Sequence, residues 1–455
     1  MLVIVFCIAL FSWRFVRATT CCNEDSSCPE SAPCCSQYGE CGVGAYCLGG
    51  CDPRFSFQRE SCVPGPTCLD KSYTFDSLDR VVPIDKFQGD PNVADWTVDG
   101  TPLIYNGSLL LTMAKDTVGT VIASTRYVLY GKVSARLKTS RGRGVVTAFI
   151  TMSNVKDEVD FEWIGASINT AQTNYYHKGF LDYRNSVHVQ KLSNTFENYH
   201  TYEVDWRPDE ITWSIDGVVC RTKKRSETWN NKTEEYDYPQ TPARVELSVW
   251  PGGLASNGKG TISWAGGTID WDSPYMQPHG YYYATIDTIN ISCYPSTLAN
   301  FSRSGSTAYT YHDAGYLNTS VGIIYGNFTL ASLLATGTNL SIAETTQIQD
   351  ETDSGETKSA QVPGLNNAIP QGYGHAEREN STESAGDIIF SDATTGASSS
   401  PSVTGFQQGG SALRTGSAKS GASRTPHSAT NLLSSYFQFC SLLIVRMCLE
   451  FVWWY

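Results

Sequence analysis

The 455-residue chain is short of positive charge: 33 Lys and Arg stand against 45 Asp and Glu, for a net charge of −12. That balance excludes the basic footprint of a nucleic-acid binder. The chain also lacks an uninterrupted apolar stretch of the roughly 20 residues that cross a bilayer. Leu2–Phe11 is too short, and Arg446 and Glu450 break the run at 436–455. No amphipathic helix of useful length can be read. The cysteine cluster between Cys21 and Cys68 contains no His and no paired Cys-x-x-Cys knuckles, which sets zinc aside. No metal or cofactor is expected.

What is present points outside the cell. Residues 1–18 read as a secretory signal, the apolar run ending at Val16-Arg17-Ala18. Of the 15 cysteines, Cys7 falls in that segment and Cys440 and Cys448 in the apolar C-terminus. Ten of the others crowd into 21–68, the density of a disulfide scaffold made in an oxidising compartment. Asn-x-Ser/Thr sequons at Asn106, Asn231, Asn290, Asn300, Asn318, Asn327, Asn339 and Asn380 fit the same route. An acidic chain rich in Tyr and Trp suits neutral sugars, whose apolar ring faces stack on aromatic side chains.

The sequence divides into a cysteine-rich module at 19–68, a domain at 69–295, a Ser/Thr-rich glycosylated stalk at 296–435 and an apolar segment at 436–455. The central domain reads as all-β. Runs at 108–113, 119–123, 130–137, 145–152, 201–206 and 210–220 are strand-like, with Asp216-Gly217 as a hairpin turn. Many short strands over more than 200 residues predict two packed antiparallel sheets, a concanavalin-like jelly-roll sandwich.

One run carries chemistry. In Glu158-Val-Asp160-Phe-Glu162-Trp163, acidic and apolar residues alternate. Successive strand side chains point to opposite faces, so the three carboxyls share one face while Val159, Phe161 and Trp163 enter the core. Strands are ordinarily poor in Asp and Glu, and like charges in a row repel. A solvated edge strand would explain the charges, but the apolar residues around the run argue for an interior strand. Glu158 and Glu162 lie about 13 Å apart along an extended strand at roughly 3.3 Å per residue. Side chains leaning inward reach the separation of about 5 to 5.5 Å used by a retaining glycosidase; an inverting one needs about 6.5 to 9.5 Å, so the spacing favours retention with inversion as the alternative. Asp160, between them, can push their pKa values apart.

Glu-x-Asp-x-Glu on a strand of an all-β domain resembles glycoside hydrolase family 16. Together with Thr173-Asn-Tyr-Tyr176, Ser248-Val-Trp-Pro-Gly-Gly253 and Gly260-Thr-Ile-Ser-Trp-Ala-Gly-Gly267, it resembles the Crh family of fungal cell-wall transglycosylases over about residues 20–295. The resemblance implies Glu158 as nucleophile, Glu162 as acid/base and Asp160 as assisting residue. It also implies that Trp250 and Thr261 line a sugar cleft. Arg184 and Arg221 are further substrate-binding candidates. The expected substrates are chitin as donor and β-glucan as acceptor. A plain retaining hydrolase shares every one of these catalytic residues, and a non-catalytic wall lectin is the reading from another class.

The run Cys28 to Cys47 resembles a hevein-type chitin-binding module. That implies Ser36, Tyr38 and Tyr46 as sugar-binding residues, with Glu40 where a third aromatic is usual. It also implies the pairs Cys22–Cys35, Cys28–Cys41 and Cys34–Cys47. At the other end, Gly421-Ala-Ser423, a spacer and the apolar tail match a glycosylphosphatidylinositol anchor signal, which would hold the protein at the outer face of the plasma membrane or in the wall.

Overall fold

The computed structural model describes residues 21–295 and 307–343 and the backbone of 386–389. The expected signal segment, the anchor signal and most of the expected stalk lie outside the described residues.

Two mostly antiparallel sheets are stacked face to face, the inner one having a parallel pair at each edge. The inner sheet contains β1 (Val81–Pro83), β2 (Trp96–Asp99), β3 (Thr120–Val128), β4 (Val146–Ser153), β5 (Glu158–Ile164), β6 (Ala171–Tyr176), β7 (Val187–Gln190), β8 (Ala243–Trp250) and β9 (Gly386–Ile389). Its spatial order is β9-β7-β6-β5-β4-β8-β3-β2-β1, so β5 is central. The outer sheet runs through Val218–Lys224, Glu210–Ile215, His200–Trp206, Gly131–Lys138, Tyr281–Cys293, Ser108–Ala114 and Pro102–Tyr105. This is the jelly-roll sandwich expected. At the Asp216-Gly217 hairpin both residues take positive φ, 50° and 79°, the backbone that a tight two-residue connection demands.

The core fills from the alternate residues of each strand. From the inner sheet come Phe149, Val159, Phe161, Trp163, Val245 and Leu247; from the outer come Tyr202, Trp213 and Ile286. Trp163 meets Tyr202 edge-on at 4.5 Å between ring centroids, and Phe161 stacks on Trp163 at 5.9 Å. On the indole side, Trp213 Nε1 donates to the Asp160 backbone carbonyl at 3.1 Å, tying the middle of β5 to the outer sheet. The apolar half of β5 therefore anchors the strand, and its acidic half is held on the opposite face.

The cysteine-rich module is closed by Cys22–Cys35, Cys28–Cys41, Cys34–Cys47 and Cys51–Cys62. Cys68–Cys293 ties its end to the last outer strand. The thiol of Cys220 is buried and donates to the Trp213 carbonyl at 3.3 Å. The module packs against the inner-sheet side of the sandwich. Gly50 N donates to Asn154 Oδ1 and to Tyr127 OH, both at 3.2 Å, and Arg54 Nη1 donates to the Lys178 carbonyl at 2.9 Å.

The stalk expected from 296 onward is not uniform. Thr307–Tyr311 pairs with Val321–Tyr325 and with Gly65–Pro66 of the module. Tyr309, Val321 and Ile323 join the main core, and Leu330 and Ala335 join the core of the module. Apolar residues outnumber Ser, Thr and Gly between 307 and 343, unlike the residues that follow, and they dock the segment.

Candidate active site

β5 is flanked by β4 and β6, and the register sets what each carboxyl faces. Glu158 lies opposite Met152 and Tyr176, Asp160 opposite Ile150 and Asn174, and Glu162 opposite Ala148 and Gln172. Ala148, Ile150 and Met152 form a small apolar strip of their own, separate from the main core. The carboxyl row is thus bordered by a dry strip on one side and a polar strip on the other.

All three carboxyls are buried. Burial, which disfavours charge, pushes Glu158 and Glu162 well above the usual carboxylate range, and the charge of Asp160 adds to both. Asp160 is pushed up to about 7 by burial, while the Glu158 carboxyl and the Arg221 guanidinium pull it back. A side-chain hydrogen bond with Glu158 is the larger of the two influences that lower Asp160, and the same bond raises Glu158. Such a row cannot be fully ionised. It holds at least one proton near neutral pH and has carboxyls free to release it.

Neighbouring groups fix the row. Asp157, just before β5, accepts from His177 Nδ1 at 2.9 Å, Lys178 N at 2.9 Å, Gln240 N at 2.8 Å and Thr241 Oγ1 at 2.7 Å. These bonds clamp the entry of the strand. Asn174 Nδ2 donates to Tyr176 OH at 2.6 Å along β6. Trp264 Nε1 donates to Gln172 Oε1 at 2.9 Å, orienting the amide that faces Glu162.

Trp250 ends β8 and stacks on Trp264 at 5.9 Å, within a cluster of Val146, Ile164 and Ala265 against which Tyr183 packs. Thr261 is buried in α1 (Lys259–Trp264), the single α-helix among the described residues. Trp250 thus lies at the Glu162 end of the row, and the helix that carries Thr261 reaches the same end through the Trp264–Gln172 bond. Arg184 is exposed on the connection between β6 and β7, forked onto Asp182 at 2.8 and 2.9 Å.

Two expectations are corrected. Arg221 does not reach the sugar-facing side. It sits behind the sheet, donating to the Thr173 carbonyl at 2.8 Å and the Asn185 carbonyl at 2.6 Å, with its guanidinium 4.4 Å from the Trp213 ring. Position 221 falls on the core side of its strand, so its charge acts on Asp160 through the sheet. Tyr46 is 3% exposed and packed within the core shared with Leu330 and Ala335. A Cβ at Gly42 would overlap its ring at 2.4 Å. Its ring is a packing element. Ser36 is buried as well, its hydroxyl accepting from Tyr38 N and Glu40 N at 3.3 Å each, while Tyr38 remains half-exposed.

Sequence reading missed Gln172, Arg244, Glu246 and Trp264. The first three had a signal: Arg244-Val-Glu246-Leu-Ser248-Val-Trp250 alternates as the Glu158 run does, and Gln172 and Asn174 flank Thr173 in the same way. Arg244 Nη2 bonds Glu246 Oε1 at 2.6 Å, a buried ion pair. Trp264 lay in a helix of one and a half turns, too short for periodicity to reveal.

Residues 91–266 match the family model described as glycosyl hydrolases family 16. Crh-like protein 3 of Botryotinia fuckeliana is 55% identical over 323 residues, covering 71% of this chain and 72% of that protein. Crh-like protein 2 of Aspergillus fumigatus is 47% identical over 348 residues, 76% of this chain and 78% of that one. Among solved structures, apo Crh5 transglycosylase aligns with a TM-score of 0.48 at 31% identity, over 61% of this chain and 100% of that chain. The chain belongs to the Crh-like family within glycosyl hydrolases family 16, and is an enzyme that works on glycosidic bonds.

Proposed function

We propose that the protein is a retaining transglycosylase of the cell wall, cleaving a chitin chain and passing it to β-glucan. The observation that carries the reading is the row Glu158, Asp160, Glu162, buried side by side on one face of an interior strand. A pure binder gains nothing from three clustered carboxyls whose mutual repulsion costs stability.

Glu158 attacks the anomeric carbon as the bond to the leaving oxygen breaks, and Glu162 gives that oxygen its proton. The raised pKa of Glu162 keeps it protonated for that step. Glu158 must be ionised to attack, and its own pKa is raised too. Asp160, pushed up by its own burial, resolves this by taking the proton from Glu158, and the charge of Arg221 behind the strand limits how tightly it keeps that proton. Glu162, now a carboxylate, then removes the proton of the arriving hydroxyl, and that oxygen displaces Glu158 from the sugar. Two displacements at one carbon restore its configuration.

Whether water or sugar completes the cycle depends on who is held in place. Bulk water is roughly 55 M, and a well-oriented partner behaves as though present at about 10⁵ M or more. Trp250, buried against Trp264, shapes the Glu162 end of the cleft from behind rather than offering an open ring face. The test is to supply chitin oligomers and a labelled β-glucan oligomer and to weigh the products. Labelled products longer than either reactant support transfer. Products only shorter than the donor, at every acceptor concentration, leave a retaining hydrolase. The same reading places the protein in the wall or at the outer membrane face.

A further inference from the structure

The module meets the inner sheet on the same face as the carboxyl row. Gln37 supplies two of the contacts: its side-chain oxygen accepts from Arg244 Nη2, and its carbonyl accepts from Lys156 Nζ. Arg244 and Glu246 belong to β8, and Glu246 is in register with Ile150, which is in register with Asp160. Two strand spacings, about 10 Å, separate them from the row. Between module and sheet lies a crevice holding about 410 Å³ of empty space, part of it open to solvent. Gln37 and Tyr38 line one side; Thr97, Ala123, Arg244 and Glu246 line the other. It continues the face of the row across the strands toward β2.

The crevice has the groups of a sugar subsite. Arg244 is 95% buried, and its Nε–H has no hydrogen-bond partner among the described residues. A buried unpaired donor is costly unless something arrives to accept from it. Glu246 has an oxygen to accept from a hydroxyl or an amide N–H. Tyr38 offers a ring edge or face. Meanwhile Tyr46 is packed away and Glu40 replaces an aromatic, so the module has lost most of a self-sufficient stacking surface.

We propose that the module is a wall of the catalytic cleft, and that Tyr38, Gln37, Arg244 and Glu246 form a subsite for one N-acetylhexosamine unit of the chain whose bond is cut at Glu158. The acetamido carbonyl accepts from Arg244 Nε–H, and the module and the row hold one continuous polysaccharide. This rests on the proposed activity toward chitin.

The experiment uses the full secreted chain carrying Glu158→Gln, so that bound oligomers are not cut. Calorimetry with N-acetylchitooligosaccharides of increasing length gives affinity and stoichiometry. Long oligomers are expected to bind one per chain, more tightly than short ones. Adding Tyr38→Ala or Gln37→Ala lowers the long-to-short affinity ratio by about tenfold, the scale of one lost contact. Arg244→Lys keeps the charge and removes the Nε–H; it lowers the preference for N-acetylated over unsubstituted β-linked oligomers by a similar factor. Thermal melting controls for folding. Two long oligomers bound per chain, or ratios unchanged in all three variants, overturns the composite cleft while leaving the proposed activity standing. No binding of any oligomer by the parent overturns both.

Discussion

Trp264 donates its indole N–H to Gln172, and Gln172 stands directly across the sheet from Glu162. A residue of the short helix thereby orients the amide that faces the proposed acid/base. Trp264→Phe keeps an aromatic side chain but removes the donor together with part of the indole's bulk, so the Gln172 amide is free to turn. The expected outcome is a fall of about tenfold in kcat, the scale of one buried hydrogen bond, with a lower melting temperature from the space the indole leaves. The pH profile of kcat should also move, because the environment of Glu162 changes. An unchanged profile and rate would show that Gln172 does not act on Glu162.

Stability should depend on pH through His177 and Asp157. Burial opposes the charge of His177, but the charge and hydrogen bond of Asp157 win and raise it to about 9. For a raised pKa, the contribution is complete below the unfolded value of about 6.5 and fades as pH rises through about 9. Burial likewise opposes the charge of Asp157, and His177 holds it below the usual range. Its contribution is complete above about 3.9 and is lost as pH falls through the depressed value. The melting temperature should therefore fall on both sides of a plateau from about pH 4 to 6.5. His177→Ala strands a buried carboxylate and should cost about 3 kcal/mol. A variant with wild-type alkaline stability would show that the pair does not control it.

Residues 307–343 should behave as part of the folded unit. A chain ending at residue 300 loses the strands that cover Gly65–Pro66 and the buried side chains of Tyr309, Val321, Ile323 and Leu330. Fully buried side chains of this size each contribute about 1.5 to 3 kcal/mol. Its melting temperature should lie several degrees below that of a chain ending at 343. Equal melting temperatures would contradict the docking.

How far sequence reaches depends on range. Alternation in Glu158–Trp163 is a property of neighbouring residues, so which side of β5 faces the core was legible, and with it the two-sheet fold. Arg221 was misjudged because its strand carries an extra residue, Cys220, where the neighbouring strand steps from Trp213, opposite Arg221, to Ser214, opposite Val219, and no local pattern reports which face a residue takes beyond such an irregularity. The resemblance to a sugar-binding module suggested an open Tyr46; only the fold shows Leu330 and Ala335 packed in the same core, almost 300 positions away. The contact of Gln37 with Arg244 spans 207 residues and has no local signature.

The central claim is that Glu158 becomes covalently bonded to the sugar. The direct measurement uses a 2-fluoro chitooligosaccharyl fluoride, whose glycosyl-enzyme forms and then decays slowly. Mass analysis of the trapped protein and its peptides locates the bond. One glycosyl unit per chain is expected, on Glu158, abolished by Glu158→Gln and released by adding an oligosaccharide acceptor. An adduct on any other residue, or wild-type turnover by the Glu158→Gln protein, would contradict it.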